Sequence, residues 1–594
     1  MGPVRELLSR ARRQVLADVL ADRYLRYLLV LSALLCGFWF WHRIPNFATR
    51  DEVSRLLDVL VAVGSVFSDP SVQGLQDGVS WGRTPFGATF YLFLLAVLPV
   101  LVLLALGGEL AVLEAFAAPS REFGYYHLWT GTPEWVWTLS IAAIRLVNVA
   151  FAVGCVYLTY RLGTAVGDRN VGRLAGLLLT LSFGFLTIAH EAGEDMPALF
   201  LVLAALYLLV RYVRTGEAAL FLAASALGGL ALAFKLTAAP VVVVVAAAHL
   251  LRRRQVADGW RGVLQPRLVA GGAALGAVAL VVGMPTALVA GPEPFLGRVF
   301  GDSAARVSHA TGPDAPVWWW FLRGYLSGLG LPLVVAVPGG LVATLAYLRR
   351  RPEGVEATAL VVVALGSYLL LFAGWHDFRV HHLLPTFPLL MLTLAAPLVR
   401  AERHRRRAGR ALIALLVVTS GVYAVAGDLQ YASMPRDQAA DWLRADADDN
   451  DTVEVYRWHL QDTAVPHGMD VSHVRGPEEP DERLDPCPEY VMLGYRDLLY
   501  LDDDTYARNR PDRADYVRSL LDGEYAYEVA AEFGPRPPGY VPQRPEPGVV
   551  LDLLHLGVIP HTDQYADEQE LAENQYTVIL RRTGECRPDR RPPF

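Results

Sequence analysis

Lysine is almost missing from this chain: of 53 basic residues, only Lys235 is not an arginine. An ammonium at that position is either something the position requires or chance. Cysteine is scarce too. Cys36, Cys155, Cys487 and Cys586 show no metal-ligand spacing, which argues against a zinc module. Cys36 and Cys155 sit in apolar runs, whereas Cys487 and Cys586 share the C-terminal tail and could pair if it faces an oxidising exterior. The tail has no GxGxxG or P-loop, and the chain has no repeat of 20–50 residues. No small-residue cleavage motif follows the first apolar run. Residues 1–24, with Arg5, Arg10, Arg12, Arg13 and Arg23, therefore read as a cytoplasmic segment before a signal anchor.

What is abundant is apolar sequence. Hydrophobic residues make up 53% of the 594, and the mean hydropathy is +0.30. That is too apolar for an ordinary soluble protein and too charged for a bare membrane bundle. The excess lies before about residue 427, in runs near 25–42, 86–107, 137–160, 172–189, 197–213, 218–234, 236–251, 267–290, 322–347, 355–374, 383–399 and 411–427. Each is about the length of a spanning helix, a few slightly short. The expected architecture is a polytopic α-helical membrane protein of about 11–13 transmembrane helices with a C-terminal extracytoplasmic α/β domain. The domains are an Arg-rich N-terminus (1–24), a transmembrane part (25–427) and an acidic tail (428–594). The tail holds 17 arginines against 35 acids, a net −18, while the remainder is +11. Strand-like runs at 453–456, 490–493 and 576–580 alternate with helical stretches such as 436–445, and Pro535 to Pro547 reads as a surface loop.

Orientation follows from the arginine-rich short loops, Arg252–Arg254, Arg349–Arg351 and Arg400–Arg410. Placing them in the cytoplasm puts Asp51-Glu52, the cluster His190 to Asp195, Lys235, His376 to His382 and the tail outside. Parity fails if 86–118 crosses once. This stretch is expected to form a hairpin bent near Pro99 or Gly107-Gly108, or to lie partly in the interface.

Carboxylates at a membrane exit need water, a cation or a polar substrate beside them. Asp51 and Glu52, just beyond the first run in an outer loop spanning 43–87, are the first such pair. Glu194 and Asp195 are the second. Lys235, Arg83 and Arg379 are cations placed on the same side. Each has a plainer reading: a solvated loop pair for Asp51-Glu52, a helix N-cap for Glu194-Asp195, and a snorkelling side chain for Lys235.

In order along residues 25–427, these fragments resemble the GT-C superfamily of polyprenyl-phosphate-sugar glycosyltransferases, the branch with protein O-mannosyltransferases and the aminoarabinose transferase (glycosyltransferase family 39-like). Asp51-Glu52 resembles the acidic motif of its first outer loop. Arg83-Thr84-Pro85 resembles its Lys-Pro-Pro-like turn, with Arg for Lys, and Arg145 sits where a span opens with Arg-Leu. His190 to Asp195 (HEAGED) resembles its second acidic loop. Gly229 to Lys235 resembles the stretch whose lysine contacts carrier phosphate. Phe378 to Pro388 resembles its Arg-Tyr-x-Leu-Pro segment, with His381 and His382 nearby.

The resemblance implies an inverting transfer of a sugar, mannose by family frequency, from a dolichyl or other polyprenyl phosphate to a hydroxyl of a protein or lipid-linked glycan. The salt-adapted composition favours a dolichyl carrier. Asp51 would be the catalytic base and Glu52 a tuning or substrate-binding acid. Arg83, Lys235 and Arg379 would hold phosphate, Glu194 or Asp195 would position donor or acceptor, and His190 and His381 would line the site. No metal constellation stands out, although an acidic pocket could hold a divalent ion loosely. Membrane lipids are expected partners; nucleic acid is not. Three other readings compete, one of them a non-catalytic membrane scaffold whose tail binds other envelope proteins. An oligosaccharyltransferase would carry Trp-Trp-Asp-x-Gly in the tail, but Trp318-Trp319-Trp320 precedes a span and lacks Asp-x-Gly. A transporter or flippase would favour ionisable residues in mid-span.

Overall fold

Helices begin where the sequence offers an acceptor to their first free amides. Asp22, Thr49 and Asp168 each accept backbone N–H groups and open the helices Arg23–Cys36, Arg50–Ser68 and Arg169–Thr180. The computed structural model describes residues 2–81, 87–120, 122–256, 265–293, 296–297, 301, 314–350, 354–448, 450–457, 459–474, 487–502, 506–561, 575–585 and 590–594. Arg83 and Cys586 lie outside these. Cys487 is disulfide-bonded, and Cys36 and Cys155 are buried free thiols.

In chain order the main helices are α1 (Gly2–Ala21), α2 (Arg23–Cys36), α3 (Arg50–Ser68), α4 (Val72–Trp81), α5 (Gly87–Gly107), α6 (Glu134–Val166), α7 (Arg169–Thr180), α8 (Phe183–Ala189), α9 (Asp195–Thr215), α10 (Ala218–Phe234), α11 (Pro240–Val256) and α12 (Pro266–Val282). They continue with α13 (Val317–Leu329), α14 (Leu331–Arg349), α15 (Glu356–Ala373), the one-turn α16 (Val380–Leu383), α17 (Thr386–His404), α18 (Arg406–Tyr431) and α19 (Pro435–Asp446). Among the described residues seven helices are long and apolar enough to cross a membrane, or eight if α7 and α8, bent by 66°, make one span. α10 and α12 are shorter apolar helices. The chain is a multi-pass helical membrane protein with a small C-terminal sheet domain.

Two faces can be told apart. One carries α1, tied to the bundle by Asp18 with Arg161 (2.7 Å) and by Asp22 with Arg173 (2.9 Å). The other carries the sheet domain. Its five strands are β1 (Thr452–Val455), β2 (Asp470–His473), β3 (Tyr490–Gly494), β4 (Tyr527–Phe533) and β5 (Thr577–Arg582), in the order β2-β1-β3-β5-β4. β1 pairs parallel with β2 and β3, and β5 pairs antiparallel with β3 and β4. The sheet is not hung on a linker. Phe47, Leu56 and Leu60 of the first loop and α3, Trp129, Trp137 of α6, Leu443 of α19, Val453 and Tyr490 all belong to one apolar core.

Two expectations are revised. Of the two bends expected in 86–118, the one near Pro99 does not form: α5 runs unbroken through it, the chain turns at Gly108 (φ +75°), and a 3₁₀ helix, Leu110–Ala117, folds onto α3. Arg43 before this stretch and Tyr126 after it both touch the sheet domain. The chain on either side of this stretch thus meets the same domain. The run 322–347 is not one helix. It breaks at Gly330 (φ +76°), where Tyr423 packs against the backbone and Pro332 opens α14.

Candidate active site

Thr49 caps α3, its Oγ1 accepting the Glu52 amide at 3.2 Å. Asp51 and Glu52 then point in different directions, because neighbours on a helix are about 100° apart. Asp51 is half-buried. Glu52 is fully buried and clamped by Arg145, Nε to Oε1 at 2.6 Å and Nη2 to Oε2 at 2.7 Å. Its oxygens also accept the Ala48 amide (2.8 Å) and the Ala192 amide (3.2 Å). The other Arg145 arm donates to the Phe40 and His42 carbonyls at 2.7 and 2.6 Å. One ion pair thus joins α3, α6, the loop after α2 and the loop before α9. Glu52, expected as a tuning or substrate-binding acid, has both carboxylate oxygens engaged by Arg145 and backbone amides.

One helical turn after Asp51 stands Arg55, which the sequence reading did not single out. Its Nε donates to Glu194 at 3.1 Å and its Nη1 to Asp58 at 3.4 Å. Glu194 in turn lies 3.9 Å from the Lys235 ammonium, which also donates to Asp195. The four side chains form an alternating array of two cations and two carboxylates, almost fully buried. Glu194 occupies the N-cap position of α9 yet makes no side-chain capping bond. The acids face cations, which displaces the helix-cap reading. Lys235, buried at the end of α10, is not snorkelling. Burial opposes the charge of Arg55, but Glu194, Asp58 and Asp51 outweigh it and hold its pKa above the ordinary arginine value. Asp51 is within electrostatic reach of both Arg55 and Asp195. An i, i+4 spacing from Asp51 was the signal that could have picked out Arg55.

His190 is fully buried, its ring nitrogens meet the Leu186 and Phe38 carbonyls at 2.8 and 2.6 Å, and it stacks on Tyr431 at 4.2 Å. Both ring nitrogens of this residue, expected to line the site, are thus engaged by backbone carbonyls. Arg379 precedes α16, where its backbone N–H donates to His382 Nδ1 at 2.9 Å. His381 and His382 lie ring against ring at 4.0 Å, with Trp375 edge-on to His382. α16 packs against α13 and α8. Trp319 and Trp320 are buried on α13 beside Arg323, each 5.7 Å from its guanidinium, while Trp318 is half-exposed.

The sheet domain closes over this region. Arg43 donates to the Gln461 and Thr463 carbonyls at 3.1 and 2.6 Å, Asn46 to the Val465 carbonyl at 2.6 Å, and Arg50 meets Asp462 at 3.4 Å. On the other side, α10, α11 and α12 enclose an apolar groove of about 570 Å³, lined by Phe221, Gly229, Leu232, Val241, Val245 and Leu280 among others. Leu232 places one end of it a single turn from Lys235. Among the described residues no group of three or more His, Cys, Asp or Glu side chains is arranged to hold a metal ion.

Residues 136–285 match a family model described as dolichyl-phosphate-mannose-protein mannosyltransferase. That stretch contains Arg145, His190 to Asp195 and Lys235. No curated protein matches. Among solved structures the chain is similar to the apo oligosaccharyltransferase of Archaeoglobus fulgidus (13% identity over 95% of this chain and 89% of that chain, TM-score 0.44). It is also similar to ArnT from Cupriavidus metallidurans bound to undecaprenyl phosphate (13%, 86% and 93%, TM-score 0.45). A third is AglB from Archaeoglobus fulgidus with an inhibitory peptide and a dolichol-phosphate (13%, 85% and 69%, TM-score 0.41). The family match supports a glycosyltransferase and the GT-C resemblance drawn from the residues.

Proposed function

We propose that this protein transfers a sugar, mannose, from a dolichyl or related polyprenyl phosphate to a hydroxyl of a protein or lipid-linked glycan, with inversion. The reaction takes place on the face that carries the sheet domain, which this reading places outside the cell. The observation that carries it is the half-buried Asp51 beside the buried Arg55–Glu194–Lys235–Asp195 array, with an apolar groove of about 570 Å³ reaching to within a turn of Lys235.

A phosphate leaving group needs its charge neutralised more than it needs a proton. Lys235 and Arg55, with Arg379 and Arg83, supply positive charge to the phosphate; Glu194 and Asp195 hold the two buried cations in place until it arrives. Asp51 takes the proton of the acceptor hydroxyl as its oxygen attacks the anomeric carbon. The bond from that carbon to the phosphate oxygen breaks, and its electron pair leaves on the polyprenyl phosphate. Glu52 positions Asp51 through the helix start they share. His190 holds the loop that presents Glu194, and His381 lines the phosphate side near Arg379.

The test supplies membranes containing the protein with radiolabelled dolichyl-phosphate-mannose, with nucleotide-mannose in parallel, and includes Asp51→Asn. The expected result is label from the lipid donor alone, lost in the variant at unchanged protein abundance. Near-normal transfer by the variant removes Asp51 from the mechanism. No transfer from any carrier-linked sugar overturns the enzyme reading in favour of a transporter.

A further inference from the structure

Within the acidic tail, residues 549–560 (VVLDLLHLGVIP) carry one charged side chain, Asp552. They form a short helix, Leu551–Leu554, continued by a 3₁₀ turn, His555–Gly557. The segment reaches away from the sheet and into the helical bundle. Leu553 and Leu556 are the only residues of the sheet domain, among those described, that join the bundle's own apolar core. Gly557 packs so closely on α13 and α14 that a Cβ there would sit 2.9 Å from Leu326 and 3.0 Å from the Leu331 amide. Tyr423 of α18 donates to the Leu556 carbonyl at 2.5 Å, and Gln430 to the Pro560 carbonyl at 2.6 Å.

The outward face of the same segment is also apolar. Leu551 is 75% exposed, Val558 62% and Ile559 54%, with Val550 and Leu554 beside them. Water is a poor neighbour for five large apolar side chains in a row. The adjacent surface says what covers them. α18 presents Leu415, Val418, Val422, Val425 and Leu429 at helical spacing, all exposed, the stripe a membrane span turns to acyl chains. Tyr423 and Gln430, the residues that hold the segment, lie on α18 next to that stripe.

We propose that residues 549–560 are a membrane-dipping hook: the sheet domain is seated on the bilayer by this segment, whose Leu551, Val558 and Ile559 enter the acyl-chain boundary of the lipid as an interfacial helix does. The hook fixes the sheet domain to α13, α14 and α18, in addition to its attachments at Arg43 and Asn46.

Single nitroxide labels at Leu551, Val558 and Ile559, with controls at exposed Gln543 and Glu546, test this in the full chain in phosphatidylcholine–phosphatidylglycerol vesicles. All five sites are exposed, so labelling requires no repacking. Oxygen concentrates in lipid and a nickel chelate stays in water. The ratio of their collision rates should be several-fold higher at the three hook positions than at the controls. Ratios equal to those of the controls overturn the proposal, because the face is then wet. Low collision rates with both reagents overturn it too, because another protein surface then covers the hook.

Discussion

Glu52 and Asp51 are consecutive, of one charge and on one helix turn, yet their variants should behave in opposite ways. Glu52 and Arg145 have no exposed side-chain surface, and their pair is bidentate. Removing one partner of such a pair leaves an uncompensated buried charge, a loss of about 3–5 kcal/mol. Glu52→Gln should therefore lower the thermal midpoint of the solubilised protein markedly, and Arg145→Met should do the same. The double variant should lose clearly less than the two single losses added together. Asp51→Asn should leave the midpoint unchanged and remove activity. Additive losses at Glu52 and Arg145 would show that the pair is not coupled. The sequence made the acidic pair visible but not the division of labour within it. A clue was present: Thr49-Arg50-Asp51-Glu52 is a capping-box pattern, which commits its last residue to the helix start. The setting of His190 was not legible for a related reason. Its burial depends on Phe38 and Tyr431, which are remote in sequence, and no local pattern announces them.

Among the elements, α10 and α12 make the tightest crossing. A Cβ on Gly229 would lie 2.0 Å from the Gly276 carbonyl oxygen, and one on Gly283 would meet Ala233 at 2.4 Å. Small residues let helix backbones approach this closely in a membrane. Gly229→Leu must push the two helices apart, and both line the apolar groove below Lys235. The expected outcome is a higher KM for the lipid donor together with a lower thermal midpoint. Gly291→Ala (φ +85°, with open space around it) is the comparison, disturbing only a local turn. An unchanged donor KM in Gly229→Leu would separate the groove from the carrier. The helices themselves were legible as apolar runs, because a span must satisfy its own backbone and so leaves a long signature. The breaks were less so. The 66° bend between α7 and α8 and the split at Gly330 are set by packing partners, Tyr423 among them. The strand β4 was missed although Tyr527 to Phe533 (YEVAAEF) shows period-2 alternation over part of its length.

Across the whole molecule, a line of alternating charge links the start of α3 to the sheet domain. Arg50 meets Asp462 at 3.4 Å, Asp462 lies 3.8 Å from Arg457, and Arg457 is 4.0 Å from Asp497. Asp497 is 1% exposed and accepts the Gly494 amide at 2.9 Å. Burial dominates there and pushes its carboxyl up to about 6, with Arg457 only partly restraining the rise. The folded state thus holds this proton more tightly than the unfolded state, where the value is 3.8. Below about pH 4 both states are protonated and the contribution is complete. As pH rises from there through about 6 the folded state must give up a proton it prefers to keep, so stability falls across that window and stays lower above it. Asn at 497 keeps an acceptor for the Gly494 amide and carries no charge to bury. Asp497→Asn should therefore raise stability at pH 7.5, by at most about 3 kcal/mol, and by much less at pH 4.5. Thermal unfolding of the two proteins at both pH values reads this directly. A variant less stable than the parent at pH 7.5 would mean that the ionised carboxylate gains more from Arg457 than burial takes away. The charge line would then be what clamps the sheet domain over Asp51, and its loss should appear as weaker acceptor use at unchanged donor KM.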